Sequence, residues 1–369
     1  MGSVDLLPSL PPKTNKNNLN YMKHLNYLLL GAAGLLLASC SNEEKVLQNN
    51  DNVKDYNLQV TVTLPDNFGS RAAVNAFGTG EVAKKLNIAV YDYTTGALVQ
   101  QGLETFPEGS LSMTVAFNLA KGKKYNLAFF AQSAESMNTA DTGNPSNGVY
   151  DFSASNGAVT VNYNNMNSSN NLADAYDCFW GVLETGVISE ISQSVSKTLT
   201  RVMAQINWGA NDLTSEASIH PDAFGANGQY IVTTLQTKVF TKFNLVNGTC
   251  DGEKNVTLSN FSAPYTLEFP YNPYDTDNND GTAPANPFVY IAMQYVLVPA
   301  DGYTADLSLS IGNDNNQGDI AFDIAVANVP LQANYQTNIY GALLTNDLQV
   351  TVTKYPTFFI PDENVPYEE

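Results

Sequence analysis

Residues that build most catalytic and metal sites are scarce in this chain of 369 residues. Of its two histidines, His24 lies in an apolar N-terminal segment and His220 in a loop-like Ser-Ile-His-Pro-Asp sequence. A catalytic triad with a histidine base, or a metal site of several histidines, is therefore nearly excluded. The cysteines have no base nearby in the sequence, and no glycine-rich phosphate-binding loop occurs. The sequence thus predicts a protein that is not an enzyme and that holds no cofactor.

Charged residues are also few, and they are unevenly placed. They make up 14% of the chain, whose net charge is −19 at pH 7. Residues 1–71 are neutral overall, so the whole negative excess lies in residues 72–369. An acidic body repels the phosphates of nucleic acids and anionic membrane surfaces, so no nucleic acid partner is predicted. The hydrophobic content of 43% and the length allow two domains with ordinary cores.

One acidic segment begins like a calcium-binding loop. Asp275, Asp277 and Asn279 have the spacing of the first three ligands of an EF-hand. Position six should be glycine but is Asp280, and position twelve should be glutamate but is Asn286. A solvated acidic turn is the favoured interpretation, and no metal site is predicted. Paired carboxylates for glycoside hydrolysis stay open, although no pair stands out.

The chain lacks long amphipathic helical patterns and has short alternating or apolar runs instead. Such runs, separated by Gly, Asn and Asp turns such as Asp92–Gly96, are typical of β-sandwiches. Phe288–Val298 is continuous and predicts a central strand buried on both faces, while Tyr230–Val246 predicts a strand broken by a turn or bulge. The predicted fold is all-β, with domains at residues 72–193 and 194–345. The clearest alternating runs are Leu86–Tyr91, Leu111–Phe117, Tyr125–Phe130, Val159–Tyr163, Val202–Trp208 and Ala305–Ile311.

The hexapeptide Leu-Gln-Val-Thr-Val-Thr occurs twice, at Leu58–Thr63 and at Leu348–Thr353. Both copies alternate apolar and polar residues, which predicts a strand with one buried face. Two strands of the same sequence can fill the same place in a sheet, as a polymer built by strand exchange requires. Strands rich in Val and Thr also resemble one another by composition alone, so the repeat needs support from the rest of the chain.

The N-terminus has the features of an export signal. A basic start precedes the apolar run Leu25–Leu37, which has the length of a signal-peptide core rather than of a membrane span. The run leads into Leu-Ala-Ser-Cys at Cys40, which resembles the lipobox of bacterial lipoproteins. Residues 1–40 are therefore the predicted signal, with Met22 as the expected start and Cys40 as the lipidated residue. The polar residues 41–71 are a predicted tether that includes the first hexapeptide.

Cys178 and Cys250 remain after the predicted signal. The exported setting permits a disulfide between them, and the sequence alone does not decide whether they pair. Cys178 lies in an apolar Cys-Phe-Trp run that suits a buried thiol. Two separate thiols are the favoured interpretation.

Arginine occurs at two positions, Arg71 and Arg201. Arg201 lies inside a predicted strand, where folding would protect it. Arg71 follows the first hexapeptide in a loop with Gly69 and Ser70, the preferred setting for proteolytic cleavage. A protease specific for arginine would then cut between Arg71 and Ala72 and release the first strand. An ordinary loop arginine is the simpler alternative, and the adjacent repeat favours cleavage.

These motifs together resemble a Bacteroidales fimbrillin, a type V pilin subunit. The resemblance covers most of residues 22–369 and rests on Cys40, the Arg71–Ala72 junction and the segments Leu86–Val99, Leu199–Asn207 and Asn338–Thr345. It implies two transthyretin-like β-sandwiches behind a lipoprotein signal. It also implies transport to the outer membrane, cleavage after Arg71 and head-to-tail assembly into a surface fimbria that supports adhesion.

The resemblance further implies that a donor strand in the tail, residues 346–369, fills the groove left by the first strand of a neighbour. The displaced apolar residues would be Leu58, Val60, Val62 and Leu64. The donor residues would be Leu348, Val350, Val352, Phe358 and Ile360, although Lys354 and Pro356 interrupt their apolar face. The implied partners are copies of this chain or related pilins, an Arg-specific protease, anchor and tip subunits, and host or bacterial surface ligands.

A different class of protein also fits part of the sequence. A surface lipoprotein that does not polymerise could use exposed aromatic residues of a β-sandwich, among its 20 tyrosines, to bind glycans or proteins. That interpretation leaves the repeated hexapeptide and the place of Arg71 unexplained. A surface hydrolase is disfavoured because histidine is scarce and no catalytic motif occurs.

Overall fold

The structure is a computed structural model that describes residues 56–65, 83–134, 136–137, 148–166, 176–212, 230–259, 262–263, 288–313, 320–343 and 349–356. Several predicted features lie outside these residues: Cys40, Arg71, Ala72, His220, the acidic segment 275–286, Leu348, Phe358 and Ile360. The described residues all belong to one compact unit, Lys45–Glu369. None of the helices within them has the length and hydrophobicity needed to cross a membrane.

The described part is nearly all β, which confirms the predicted fold class. Its complete helical elements are two short 3-10 turns, Ala154–Asn156 and Tyr163–Asn165, and Tyr176 also has 3-10 conformation. In chain order the strands are β1 (Leu58–Thr63), β2 (Lys85–Asp92), β3 (Leu98–Thr105), β4 (Ser112–Phe117), β5 (Tyr125–Gln132), β6 (Tyr150–Ser153), β7 (Ala158–Val161), β8 (Cys178–Glu184), β9 (Gln193–Thr198), β10 (Thr200–Arg201), β11 (Met203–Ala210), β12 (Tyr230–Val239), β13 (Lys242–Asn244), β14 (Cys250–Asp251), β15 (Lys254–Ser259), β16 (Ser262–Ala263), β17 (Val289–Leu297), β18 (Tyr303–Asn313), β19 (Ile320–Leu331), β20 (Tyr335–Ala342) and β21 (Gln349–Pro356).

Two sheets enclose a first hydrophobic core. One has the order β4-β1-β9, and the other has the order β10-β8-β5-β2-β3. Alternate residues of β2, Leu86, Ile88 and Val90, lie in this core together with the alternate apolar residues of β1. The period of two in the sequence therefore determines which face of each strand is buried here.

A second, larger core lies on the other face of the β2–β5–β8 sheet. Ala89 and Tyr91 of β2 belong to it, together with residues of the sheets β17-β11-β20-β21 and β15-β12-β18-β19. A further sheet, β14-β13-β7-β6, joins strands from before and after the predicted domain boundary at residue 194. That boundary falls inside β9, which pairs with β1. The chain passes between the cores further on, since Leu199 lies in the first core and Val202 in the second.

The two long apolar runs form strands with one departure from prediction. The run Phe288–Val298 contains β17, Val289–Leu297, and residues 291–298 are buried on both faces as predicted. The expected central position is wrong, because β17 is an edge of its sheet in the described part, while β11 is central and buried throughout. β17 also packs against β12 of another sheet, so its burial does not require a strand on each side. The predicted break within Tyr230–Val246 lies between β12 and β13.

Candidate strand-exchange site

The first hexapeptide forms the central strand of its sheet. β1 pairs antiparallel with β4 and parallel with β9, so that Val60 lies opposite Val115 on one side and Val195 on the other. Both edges of β1 therefore carry ladder hydrogen bonds. We call the position between β4 and β9 that β1 occupies the β1 slot.

The apolar residues of the first copy are completely buried in the β1 slot. Leu58, Val60, Val62 and Leu64 are each 0–1% exposed and pack in the first core. At about 1.5–3 kcal/mol for each side chain, their burial contributes about 6–12 kcal/mol before the entropy of ordering the strand is subtracted. The alternation of the hexapeptide predicted one buried face, and the fimbrillin resemblance implied these four residues as its displaced apolar side chains.

The polar face of β1 carries cross-strand pairs that fix its register. Thr61 Oγ1 lies 3.1 Å from Thr114 Oγ1, and Thr63 Oγ1 lies 3.2 Å from Ser112 Oγ. Such pairs form between residues that lie directly opposite each other, so a shift by one residue would lose them and expose the apolar face.

The two ends of the β1 slot are closed by specific contacts. At one end, Asn57 Nδ2 donates to the Leu119 carbonyl at 2.6 Å, and the Leu119 amide donates to Asn57 Oδ1 at 2.9 Å. At the other end, the Leu64 amide donates to the Leu111 carbonyl at 2.8 Å. No signal in the sequence marks the role of Asn57, because an asparagine before a strand resembles any other turn residue.

On the β9 side of the slot, side chains pack closely against the neighbouring sheet at Gly181 of β8. A Cβ at Gly181 of β8 would lie 2.6 Å from Lys197 Cε and 2.9 Å from Leu199 Cδ2. Gly181 therefore lets these two side chains cross β8 closely. Within the described residues β9 pairs with β1 alone, so loss of β1 would leave β9 held by side-chain contacts.

The second hexapeptide lies in a different environment. In the described part of the chain, β21 is an edge strand of the sheet β17-β11-β20-β21 and pairs antiparallel with β20. Its Val350 and Val352 are partly buried against the second core. Lys354 is exposed, and its Nζ donates to Gln332 Oε1 at 2.9 Å. Residues 349–356 of the tail are thus docked on their own chain, a point that the sequence left open.

One hydroxyl distinguishes the two copies clearly. Thr353 Oγ1 in β21 is buried and has no hydrogen-bond partner among the described residues. The corresponding atom of β1 is Thr63 Oγ1, which has Ser112 Oγ as its partner. A buried hydroxyl without a partner costs about 1–3 kcal/mol of stability, so this hydroxyl weakens the binding of β21 to its own sheet.

Arg201 is buried, as the sequence predicted. It is 4% exposed, and its Nε donates to both carboxylate oxygens of Asp177 at 2.8 Å. Its guanidinium carbon lies 4.8 Å from the centre of the Phe179 ring, and Nη1 donates to Asn334 Oδ1 at 3.3 Å. Burial raises the pKa of Asp177 to about 6, and the charge of Arg201 opposes that rise. Folding therefore withholds this arginine from a protease.

The two described cysteines are free thiols, which confirms the favoured interpretation. Burial raises the pKa of Cys178, and the charge of Asp177 adds to that rise. Burial also raises the pKa of Cys250 to about 12, with a further contribution from Asp301. Neither thiol is activated for nucleophilic chemistry. The described residues contain no group of side chains suited to hold a metal ion.

Aromatic residues on the described surface are few. Tyr93 is the one aromatic among the strongly exposed large hydrophobic side chains of the described part, at 46% exposure. The expectation of a glycan-binding surface of exposed tyrosines therefore gains no support from these residues.

Comparison with solved structures gives distant matches. A candidate polysaccharide-binding protein from Bacteroides thetaiotaomicron is 14% identical with a TM-score of 0.44, and the alignment covers 84% of this chain and 100% of that chain. A candidate cell adhesion protein from Parabacteroides distasonis is 13% identical with a TM-score of 0.41, covering 82% and 98%. The tip fimbrial protein Mfa3 from Porphyromonas gingivalis, with a C-terminal truncation, is 10% identical with a TM-score of 0.39, covering 80% and 98%. Scores this low carry no argument about function.

Comparison at the level of sequence is more decisive. No curated protein matches the chain. Residues 49–367, which include β1, β21 and everything between them, match a profile described as a family of unknown function, DUF6562. The match spans most of the chain, and the protein therefore belongs to the family DUF6562.

Proposed function

We propose that this protein is a structural subunit of a cell-surface fimbria, in which β21 of one copy replaces β1 of the next. One observation carries the proposal: the same six-residue sequence forms a central strand with fully buried apolar residues at one end of the chain, and its described residues 349–353 lie in an edge strand at the other. A strand with that sequence fits the β1 slot whichever chain supplies it.

The environments of the two copies give exchange a direction. At the edge of its sheet β21 forms one ladder of backbone hydrogen bonds among the described strands, with β20. In the β1 slot it would form two such ladders, with β4 and β9. Val350 and Val352 would pass from partial to complete burial, which favours the move by the apolar area removed from water. Thr353 would also gain the hydroxyl partner, Ser112, that its counterpart has in β1.

Cleavage after Arg71 would remove the competitor. While β1 is joined to β2 through residues 64–84, it has a high effective concentration at its own slot, on the order of millimolar. A cut between Arg71 and Ala72 would make β1 a separate segment, which is diluted once it leaves. The same cut would separate the subunit from the lipid predicted at Cys40, so one event would release the subunit and open its slot.

The resulting assembly is an open filament. A contact in which the tail of one subunit fills the slot of the next is heterologous, so it repeats without closing unless the rotation makes a ring. The proposed partners are copies of this chain or related pilins, with anchor and tip subunits at the ends and adhesion as the task of the fibre. The net charge of −19 favours solubility of the subunits at high local concentration.

Purified protein treated with an Arg-specific protease tests the proposal. We expect a single cut after Arg71, followed by ladders of oligomers that resist SDS, because a central strand with two ladders opens slowly. Arg71→Ala should stay uncut and monomeric. A protein without residues 346–369 should be cut but form no ladder, since it has no strand to donate. Complete cleavage of the wild type without oligomers would contradict the proposal, as would ladders from the shortened protein.

A further inference from the structure

The two hexapeptides are identical, so the residues beside them decide which copy the β1 slot prefers. For a strand of the same sequence, in the same register, every contact of residues 58–63 is reproduced by residues 348–353. At the ends of the β1 slot, differences in affinity then come from the two flanking positions. In the first copy these are Asn57 and Leu64, and in the second they are Asp347 and Lys354.

At the first flank, the β1 slot requires a residue that both donates and accepts a hydrogen bond. Asn57 is 7% exposed, and its side chain donates to the Leu119 carbonyl and accepts from the Leu119 amide. A carboxylate of Asp347 in that place could accept from the amide but could not donate to the carbonyl. A carboxylate oxygen of Asp347 would then face the Leu119 carbonyl oxygen, to which Asn57 Nδ2 now donates a hydrogen bond of 2.6 Å.

At the second flank, the β1 slot requires an apolar residue. Leu64 is completely buried in the first core. Lys354 in that place would have to bury its ammonium group or bend it toward water along its aliphatic stem. In its present position Lys354 is well accommodated, because its Nζ bonds to Gln332 and lies 5.2 Å from the centre of the Tyr335 ring.

From these contacts we infer that positions 57 and 64 favour β1 over the tail of a second copy, and so prevent exchange before cleavage. The inference rests on the proposed function and adds a regulation to it. The hexapeptide of the tail makes the same contacts in the β1 slot as that of β1. Its flanking residues, Asp347 and Lys354, do not, so the tail binds the slot more weakly than β1 does. The tail of a second copy then wins only when cleavage has made β1 a separate segment. Premature polymerisation, which would trap subunits before they reach the surface, is thereby opposed.

Competition with synthetic peptides measures the preference of the slot directly. The peptides carry residues 346–354, either as in the chain or with Asp347→Asn, Lys354→Leu or both changes. Each is added to the full chain together with the Arg-specific protease, and the concentration that halves the yield of SDS-resistant oligomers is measured. We expect each change to lower that concentration about tenfold, and the double change about a hundredfold, because the flanks lie far apart and act independently. A peptide with the same residues in scrambled order is the control.

The same changes in the full chain test the regulation. The variant with both Asp347→Asn and Lys354→Leu should form oligomers without protease, where the wild type forms none. Lys354→Leu also removes the contact with Gln332, which could free β21 from its own sheet. Gln332→Ala removes that contact and leaves the donor sequence intact, so it should not form oligomers without protease.

The outcomes separate the inference from the proposed function. Equal inhibition by the natural and the doubly changed peptides, with normal ladders after cleavage, would overturn the inference and leave the exchange mechanism standing. Oligomers from uncleaved Gln332→Ala would likewise overturn it, since release of β21 would then be the barrier. Absence of oligomers after complete cleavage would overturn the proposed function and the inference together.

Discussion

The two copies of Leu-Gln-Val-Thr-Val-Thr are the same strand in two environments. In β1 the strand lies between two others, and the side chains of Val60 and Val62 are fully buried. In β21 it lies at an edge, and Val350 and Val352 are partly buried. Sequence and secondary structure are identical, so any difference in energetics between the copies comes from their neighbours. Matched substitutions at corresponding positions can measure that difference.

The largest effect is expected from a charge on the buried face. Val60→Asp places a carboxylate in the first core without a partner, which should lower the free energy of unfolding by more than about 4 kcal/mol. Val350→Asp, at the half-buried edge, should cost about 1 kcal/mol. Urea unfolding followed by circular dichroism measures both. If Val60→Asp does not fold, Val60→Ala and Val350→Ala should differ in the same direction, about 2 against less than 1 kcal/mol. Equal losses at the two positions would show that the environments are equivalent.

A second prediction tests whether the two regions are fastened together. Asp177→Ala removes both hydrogen-bond acceptors of the buried Arg201 Nε, which should cost about 3 kcal/mol at pH 5. Hydrogen exchange should then quicken in β1 and in β21 alike. Glu184→Gln, at an exposed ion pair with Lys124, is the control and should change stability by less than about 0.5 kcal/mol. Faster exchange in one region only would mean that the cores open separately.

The same pair predicts a dependence on pH. Because the pKa of Asp177 is raised to about 6, the folded chain holds a proton between about pH 4 and pH 6 that the unfolded chain releases. The contribution of Asp177 to stability is therefore complete below pH 4 and is lost as the pH rises through 6. The difference in unfolding free energy between wild type and Asp177→Ala should narrow as the pH rises across that window. A difference that does not vary with pH would contradict the raised pKa.

A smaller effect is expected at the end of the β1 slot. Asn57→Asp removes the donor to the Leu119 carbonyl and should cost about 2 kcal/mol, since a buried carbonyl loses its partner. Gln59→Glu is the same chemical change two residues along, where the side chain accepts a hydrogen bond from Ser194 and is partly exposed. It should cost less than about 0.5 kcal/mol. A similar loss of unfolding free energy at both positions would show that Asn57 does not close the end of the slot.

The smallest effect is also the most diagnostic, because its sign changes between the copies. Thr63→Val removes a hydroxyl that has Ser112 as its partner and should destabilise by about 1 kcal/mol. Thr353→Val removes a buried hydroxyl that has no partner among the described residues and should stabilise by up to about 1 kcal/mol. Thermal unfolding of the two variants side by side measures the signs. Destabilisation by both would show that Thr353 has a partner in solution.

Much of the fold could be predicted from the sequence because it depends on the local pattern of apolar and polar residues. The run Leu86–Tyr91 and the turn Asp92–Gly96 form a hairpin in which Asp92 Oδ1 accepts bonds from the amides of Thr94 and Thr95, a contact between residues close in sequence. The parallel pairing of β1 with β9 could not be predicted from the sequence. It joins residues more than a hundred positions apart, such as Gln59 and Ser194, and a parallel partner leaves no signal in either strand.

The sequence by itself determined that the described part of this chain is nearly all β, which face of β1 is buried, and that the two hexapeptides carry the same side chains in the same order. These features follow from a period of two residues and from identity of side chains, neither of which depends on distant contacts. Only the tertiary structure decided that, among the described strands, one copy is central and the other an edge. It also decided that Thr353 lacks, within the same part of the chain, the partner that Thr63 has, and that Asn57 and Leu64 close the ends of the slot. The physical reason is that burial and hydrogen bonding are set by which strands become neighbours, and strand order is fixed by the packing of whole sheets rather than by any one segment.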